Sequence, residues 1–373
     1  MTRSNDTSRH DSSGSENGRG EADVDEMHGS EIPPGLETVV VSGIQPSGRL
    51  HLGNYFGAIR QHIDLHQKHD AFYFIVNYHA MTTVRDAGRL RQHTLNVALD
   101  YLALGFDPGE AALLVQSDVP EVTELTWILF NLLPTGRLER GVAYKEKVAA
   151  GLSPNAGLFN YPVLQAADIL AYGGSLVPVG ADQKQNIEIA RDLARRFNRT
   201  FCPEDEPLFP VPEPYILDDV AVVPGTDGQK MSKSYDNTIG IFDEGEELEE
   251  KVMSIVTDPT PLDEPKDPEN CNVFALIKLF ADEETRQEIA EKYRSGGYGY
   301  GHAKQKLLDL IEDHFAEARA RRKELKQRPD YVRDVLREGA KTAREQIAPF
   351  MEAVRSLVGI VDTGASRRLS KEN

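Results

Sequence analysis

The sequence predicts an α/β protein: a doubly wound parallel sheet that carries a helical insertion and is followed by an all-α region. Three observations predict it. Short apolar runs alternate with longer amphipathic ones over the first part of the chain, the pattern of a parallel sheet covered by helices on both faces. The alternation lapses from about Glu121 to Leu170, where helical patterns dominate, and then resumes. Beyond Ile241 only helical periodicity remains.

Thr38-Val39-Val40-Val41 is the expected first strand, because a β-branched run ending at Ser42-Gly43 suits the buried centre of a sheet. After the Pro46-Ser47-Gly48 turn, a helix is expected from about Leu52 to His66, then a strand at Ala71 to Val76. A helix near Leu90 to Leu104 leads to a third strand at Ala111 to Val115. Past the insertion, Leu176 to Val179 reads as a strand and Asp182 to Phe197 as a helix. The remaining helices fall at Glu246 to Val256, Val273 to Phe280, Glu284 to Tyr293, His302 to Lys326 and Asp330 to Leu357. The glycines from Gly296 to Gly301 mark a loop between two of them. The division that follows is 1–36 and 361–373 as tails, 37–240 as the sheet domain and 241–360 as a helical domain.

A length of 373 residues suits two folded units. Residues 1–36 hold eight acids against three arginines and show no apolar periodicity, so a disordered acidic tail is expected there. That segment has neither a secretory nor a transit-peptide pattern, and no apolar run reaches the roughly 18 residues that a membrane span needs. Cytoplasmic residence without a membrane partner is expected. Cys202 and Cys271 are the only cysteines, too few and too isolated for a disulfide framework or a zinc finger, and no metal-ligand set is evident. The formal net charge of −18 excludes a uniform affinity for nucleic acid. A polyanion must therefore meet a local patch, and Arg319 to Arg344, with ten Lys/Arg against four Asp/Glu, is the candidate. Arg333, Arg337 and Lys341 share a helical face there, and the alternative is a solvated, salt-bridged helix.

Chemistry concentrates in segments that lie far apart in the chain. In a doubly wound sheet, ligands bind at the carboxyl ends of strands where a glycine-bearing turn feeds a helix, and Gly43 to Asn54 occupies that place. Gly53 would let a nucleotide approach the backbone, and the N–H groups that open a helix favour phosphate. His51 and Asn54, three apart, project from one face of the opening turn and can donate hydrogen bonds to phosphate oxygens. Lys230-Met231-Ser232-Lys233-Ser234 follows Gly225-Thr226-Asp227-Gly228, so Lys230 and Lys233 bring two positive charges on a glycine-hinged loop. Stabilising a departing pyrophosphate is a matter of positioning and electrostatics, which such cations supply. Gly180-Ala181-Asp182-Gln183 ends a strand and opens a helix, where a ribose needs an acceptor and an amide. Tyr161, Gln165 and Asp168 are spaced so that one helical face presents an aromatic ring, an amide and a carboxylate.

Pro46 to Asn54 and Lys230 to Ser234 resemble the paired signatures of class I aminoacyl-tRNA synthetases. Gly43 to Gly48, asparagine at position 54 and Val177 to Gln183 are similar to the bacterial tryptophan branch of that family, and the likeness runs from about Thr38 to Gly359. The resemblance implies a homodimeric Rossmann enzyme that uses ATP and Mg²⁺ to make tryptophanyl-adenylate and then charges its tRNA. It implies His51, Asn54, Lys230 and Lys233 as catalytic residues. Gln45, Pro46, Ser47, Gly53, Asn54, Lys145, Gly180, Ala181, Asp182 and Val222 match ATP contacts, with Lys230, Met231, Ser232, Lys233 and Ser234. Asp168, Tyr161, Gln165, Gln183 and His79 match the amino-acid pocket, where Asp168 would accept the indole N–H. Position 165 departs from the pattern, being glutamine where the bacterial tryptophan enzymes commonly have methionine. A Tyr, Gln and Asp face also resembles the tyrosine enzymes, so tyrosine specificity is the alternative. A non-activating RNA-binding paralogue and a small-molecule nucleotidylyltransferase are the rivals from other classes.

Overall fold

The computed structural model describes residues 38–149, 151, 153–180, 183–215 and 223–361. The expected tail 1–36, all but the first residue of the tail 361–373, and the site candidates Ala181, Asp182 and Val222 lie outside the described residues. Among the described residues, five strands form one parallel sheet: β1 (Val39–Ile44), β2 (Asp70–Ile75), β3 (Ala112–Val115), β4 (Leu176–Pro178) and β5 (Glu213–Tyr215). Their order is β3-β2-β1-β4-β5, the doubly wound Rossmann arrangement, and it reverses between β1 and β4. A crevice therefore opens beyond the carboxyl ends of those two strands.

Side chains alternate across a strand, and the two faces feed separate cores. Val40, Tyr73 and Ile75 join one apolar cluster, while Val41, Phe72, Phe74 and Leu114 join the other. Both faces of β1 are thus sealed, which is why its run is β-branched throughout rather than alternating with polar residues. The strand β5, Glu213-Pro214-Tyr215, is absent from the reading of the sequence because it sits in a proline-rich stretch. It pairs only with β4, and a sheet edge is where a strand tolerates proline.

The helix after β1 spans 52–66 but contains a π turn at Tyr55–Ile59, an irregularity that often marks functional sites. Asp86 caps Ala87–Ala103 by accepting the Arg89 N–H, and Asn155 caps Ala156–Leu170 by accepting the Leu158 N–H. The insertion 121–170 is helical, with Glu121–Phe130, Thr135–Leu138, Val142–Ala149 and Ala156–Leu170, and Lys184–Phe201 follows β4. The C-terminal helices are Glu246–Met253, Asn272–Phe280, Glu283–Ser295, Tyr300–Leu325 and Pro329–Leu357. The last returns to the sheet and lays Gly339 on β3, where a Cβ would stand 2.1 Å from the Leu113 carbonyl oxygen. Among the described residues, no helix is long and apolar enough to cross a membrane.

Beneath β2, His62 is only 1% exposed, stacks on Tyr73 at 4.6 Å and shares a 2.8 Å hydrogen bond between Nδ1 and the Tyr101 hydroxyl. Burial pushes its pKa down to about 3. The unfolded chain takes up this proton below about pH 6.5 while the fold refuses it until about pH 3, so stability rises with pH across that window and is complete above it. Urea melts at pH 7.5 and pH 5 should show a loss on acidification that is about 2 kcal/mol smaller in His62→Gln than in the wild type. Equal pH dependence of the two proteins contradicts this.

Candidate active site

The first signature folds as a tight entry into the helix 52–66. His51 and Asn54 are joined locally, the Asn54 Oδ1 accepting the His51 backbone N–H at 3.2 Å. The carbonyl end of the amide is thereby engaged, and its NH₂ end is the one left for a ligand. Gly53 also has close neighbours within the chain. A Cβ there would stand 3.0 Å from His51 Nδ1 and 3.5 Å from the Met231 Cβ, so the glycine makes room for the imidazole and the second signature. His51 is 7% exposed, and its Nδ1 is buried without a hydrogen-bond partner. Burial, assisted by the nearby Lys233 charge, drops its pKa to about 4. It is therefore a neutral hydrogen-bonding group at physiological pH rather than a cation.

The second signature is brought to the first by backbone pairing. The Leu52 N–H donates to the Ile239 carbonyl at 3.0 Å and the Ile241 N–H to the Leu50 carbonyl at 3.1 Å, with His51 opposite Gly240 in an antiparallel bridge. A second bridge, Pro224 to Lys230, closes the hairpin that carries the lysines, and Met231, 4% exposed, anchors it in the core. Lys233 then reaches the first signature, its Nζ donating to the Ser47 Oγ at 3.1 Å. Burial lowers the Lys233 ammonium to about pKa 8, opposed by the Asp100 carboxylate. Ser232 caps the turn Lys233–Tyr235 by accepting the Ser234 N–H, and Lys230 and Ser234 are exposed.

Asp100 is 3% exposed and paired with Arg322 from Tyr300–Leu325 at 2.5 Å. Burial pushes its pKa up to about 6 against the pull of that guanidinium. Through this pair the C-terminal helices touch the field around Lys233.

Beside the first signature, a cavity of about 500 Å³ gathers Gln45, His79, Tyr161, Gln165, Asp168, Gly180 and Gln183, a size suited to a small-molecule ligand. Pro46, next in the chain, is buried. Asp168, 2% exposed, accepts two hydrogen bonds on Oδ2, from Gln116 Nε2 at 2.7 Å and from His79 Nε2 at 3.1 Å. Gln116 is itself locked, since its Oε1 accepts the Tyr78 N–H at 3.0 Å. Asn186 donates to both the Tyr161 hydroxyl and Gln183 Oε1, at 3.3 and 3.0 Å. Gln116 and Asn186 were missed in the sequence. Both are buried polar residues, Gln116 just past β3 and Asn186 in a helix, and only folding shows what they hold.

Two further groups of candidate residues lie outside that cavity. Lys145 is exposed on Val142–Ala149 and is not among the residues lining that cavity. The basic stripe is neutralised where it stands: Arg333, Arg337 and Lys341 each pair with an acid three residues earlier, Asp330, Asp334 and Glu338. Arg319, at the head of the stripe, is buried and turned inward to the Ile241 carbonyl. Helical i, i+3 spacing of opposite charges explains the pairing.

Residues 35–316 match the model of the family described as tRNA synthetases class I (W and Y). The chain is 52% identical over 321 residues to a tryptophan–tRNA ligase of Fusobacterium nucleatum, covering 86% of this chain and 98% of that one. It is 53% identical to the tryptophan–tRNA ligase of Rhodopirellula baltica, with 86% and 99% covered. Among solved structures, tryptophanyl-tRNA synthetase from Campylobacter jejuni complexed with ADP and tryptophan superposes with a TM-score of 0.80 at 48% identity, covering 87% of this chain and all of that one. Fold, paired signatures and relatives agree: the chain belongs to the class I tRNA synthetases of the tryptophan and tyrosine type, and within them to the bacterial tryptophanyl-tRNA synthetases.

Proposed function

We propose that the protein activates L-tryptophan with ATP, releasing pyrophosphate, and transfers the tryptophanyl group from the adenylate to a ribose hydroxyl of tRNA(Trp). The observation that carries this reading is the joining of the two signatures, by backbone pairing and by Lys233 on Ser47, next in the chain to Gln45, which lines a cavity together with Asp168. A carboxylate oxygen of tryptophan attacks the α-phosphorus as the bond from that phosphorus to the bridging oxygen breaks and pyrophosphate departs with the electron pair. The attacking carboxylate is ionised at neutral pH, so no general base is required. The chain's tasks are alignment and charge stabilisation. The Asn54 amide and the neutral His51 would donate to phosphate oxygens, and Lys230 and Lys233 would meet the developing charge on pyrophosphate.

Gln45, Pro46, Ser47, Gly53 and Gly180 would form the nucleotide's bed, with Ala181, Asp182 and Val222 completing it. Lys145, exposed on Val142–Ala149, would supply a further phosphate contact. Mg²⁺ would arrive on the triphosphate and help neutralise its charge. Specificity for tryptophan over tyrosine would rest on Asp168. One of its oxygens is committed to Gln116 and His79, and the carboxylate is an acceptor suited to the donor-only indole N–H. The relatives near 50% identity, all tryptophan ligases, favour the same choice.

The division of labour follows the fold: residues 37–240 would do the chemistry and 241–360 would approach the anticodon. A homodimer acting in the cytoplasm completes the proposal. Trp127, 70% exposed on Glu121–Phe130, is an apolar side chain that a dimer interface would cover.

Pyrophosphate exchange measured with each amino acid tests the reading directly: exchange should depend on tryptophan, and exchange driven by tyrosine, or by none, contradicts it. Single-turnover adenylation by Lys233→Ala should fall by about a hundredfold while tryptophan affinity stays within about threefold, because the lysine acts on the leaving group. Equal losses in both would contradict that role. Asp168→Asn places an amide against the Gln116 and His79 donors and should weaken tryptophan binding more than about tenfold while ATP affinity is kept; calorimetry with each ligand checks this.

A further inference from the structure

Asn237 lies three residues beyond the lysine signature and is 2% exposed. Its carboxamide bridges the whole loop. The Oδ1 accepts the Ser232 N–H at 2.8 Å, and the Nδ2 donates to Asp227 Oδ1 at 2.7 Å and to the Lys230 carbonyl at 3.2 Å. Its own carbonyl accepts the Thr226 N–H at 3.0 Å. Both amide hydrogens and the amide oxygen are thus engaged by the segment that carries the two lysines. The surroundings enforce this. Gly225 lies against the amide so closely that a Cβ would stand 2.3 Å from its Cγ and Nδ2. The preceding residue, Asp236, is the one non-glycine among the described residues with positive φ, at 53°, a conformation that is uncommon outside glycine and tolerated by Asp. It turns the chain back so that residue 237 faces the loop it has just left.

We propose that Asn237 is the positioning residue of the lysine loop, setting the backbone at Lys230 and Ser232 so that the turn carrying both lysines keeps one arrangement as it meets the triphosphate. The inference rests on the adenylate-forming function proposed above. Electrostatic stabilisation is effective when its groups need no reorganisation at the moment of reaction, and a loop whose turn is closed by one buried amide meets that condition. An aspartate at 237 would keep the acceptor for Ser232 but set a carboxylate against Asp227 and the Lys230 carbonyl.

The test is tryptophan-dependent pyrophosphate exchange by the full chain, with tryptophan affinity measured by calorimetry. Asn237→Asp should lower kcat at least about tenfold and raise the KM for ATP, with tryptophan affinity within about twofold of wild type. Adding Asp227→Asn restores a donor opposite the introduced carboxylate and should recover at least about threefold of that loss, a coupling expected only of groups in contact. Should Asn237→Asp fail to fold, Asp227→Ala decides: at an exposed position it removes one of the three side-chain bonds, and kcat should fall about two- to fivefold with tryptophan affinity unchanged. Exchange by Asn237→Asp within about twofold of wild type, a matching loss of tryptophan affinity, or no recovery in the double variant would overturn the assignment of Asn237 alone. A wild-type protein lacking tryptophan-dependent exchange would overturn the functional reading and this assignment with it.

Discussion

A short antiparallel pairing, Leu50 to Leu52 against Ile239 to Ile241, holds the site together. It is the covalently unsupported joint between segments far apart in the chain, and each feature near the phosphate turn depends on it. Gly240 must be glycine because the Asp243 carboxylate takes its N–H at 2.6 Å and leaves no room for a Cβ, which would fall 2.4 Å from that carboxylate. Lys251 Nζ holds the same carboxylate at 2.7 Å, so the bend is braced by a hydrogen-bonded ion pair, buried on the Asp243 side and half-exposed on the Lys251 side, rather than by packing alone. With that bend in place, Met231 seals against Gly53 and Lys233 falls onto Ser47.

The local electrostatics resolve an apparent conflict. A chain of net charge −18 is a poor host for a triphosphate unless positive potential is concentrated where the phosphates lie. The site achieves this with few cations. His51 is kept neutral by burial, so it offers hydrogen bonding without repelling Lys233 fully. Lys233, lowered toward pKa 8 by the same burial, remains mainly charged at neutral pH and gains from any anion that replaces Ser47 as its partner. The Asp100–Arg322 pair lies within the same field, which gives the C-terminal helices an electrostatic connection to the reaction centre.

Much of the fold was legible because its signals are local. The β-branched run at 39–41, the helical periods and the glycine-bearing turns each read from a few neighbouring residues, and the two signatures carried their chemistry in their own side chains. The strand β5 was illegible because Pro214 argues against a strand until its edge position is known. The inward turn of Arg319 was equally hidden, since composition counts charges without showing what they face, whereas the pairing of Arg333, Arg337 and Lys341 with their own acids is the salt-bridged helix that the sequence offered as the alternative. Gln116, Asn186 and Asn237 escaped for a common reason: each acts by hydrogen-bonding another residue of the site, and such a role has no pattern in one dimension. At Gly53 the fold adds a neighbour that the sequence did not show, the imidazole of His51.

The central claim is that both signatures surround a single triphosphate, and a crystal structure with tryptophan and a non-hydrolysable ATP analogue tests it most directly. The expected result is one nucleotide with its phosphates within hydrogen-bonding distance of the Asn54 amide and His51 on one side and of Lys233 on the other, and its α-phosphorus facing the tryptophan carboxylate. A nucleotide bound away from either signature, or a tryptophan outside the cavity that holds Asp168, would contradict it.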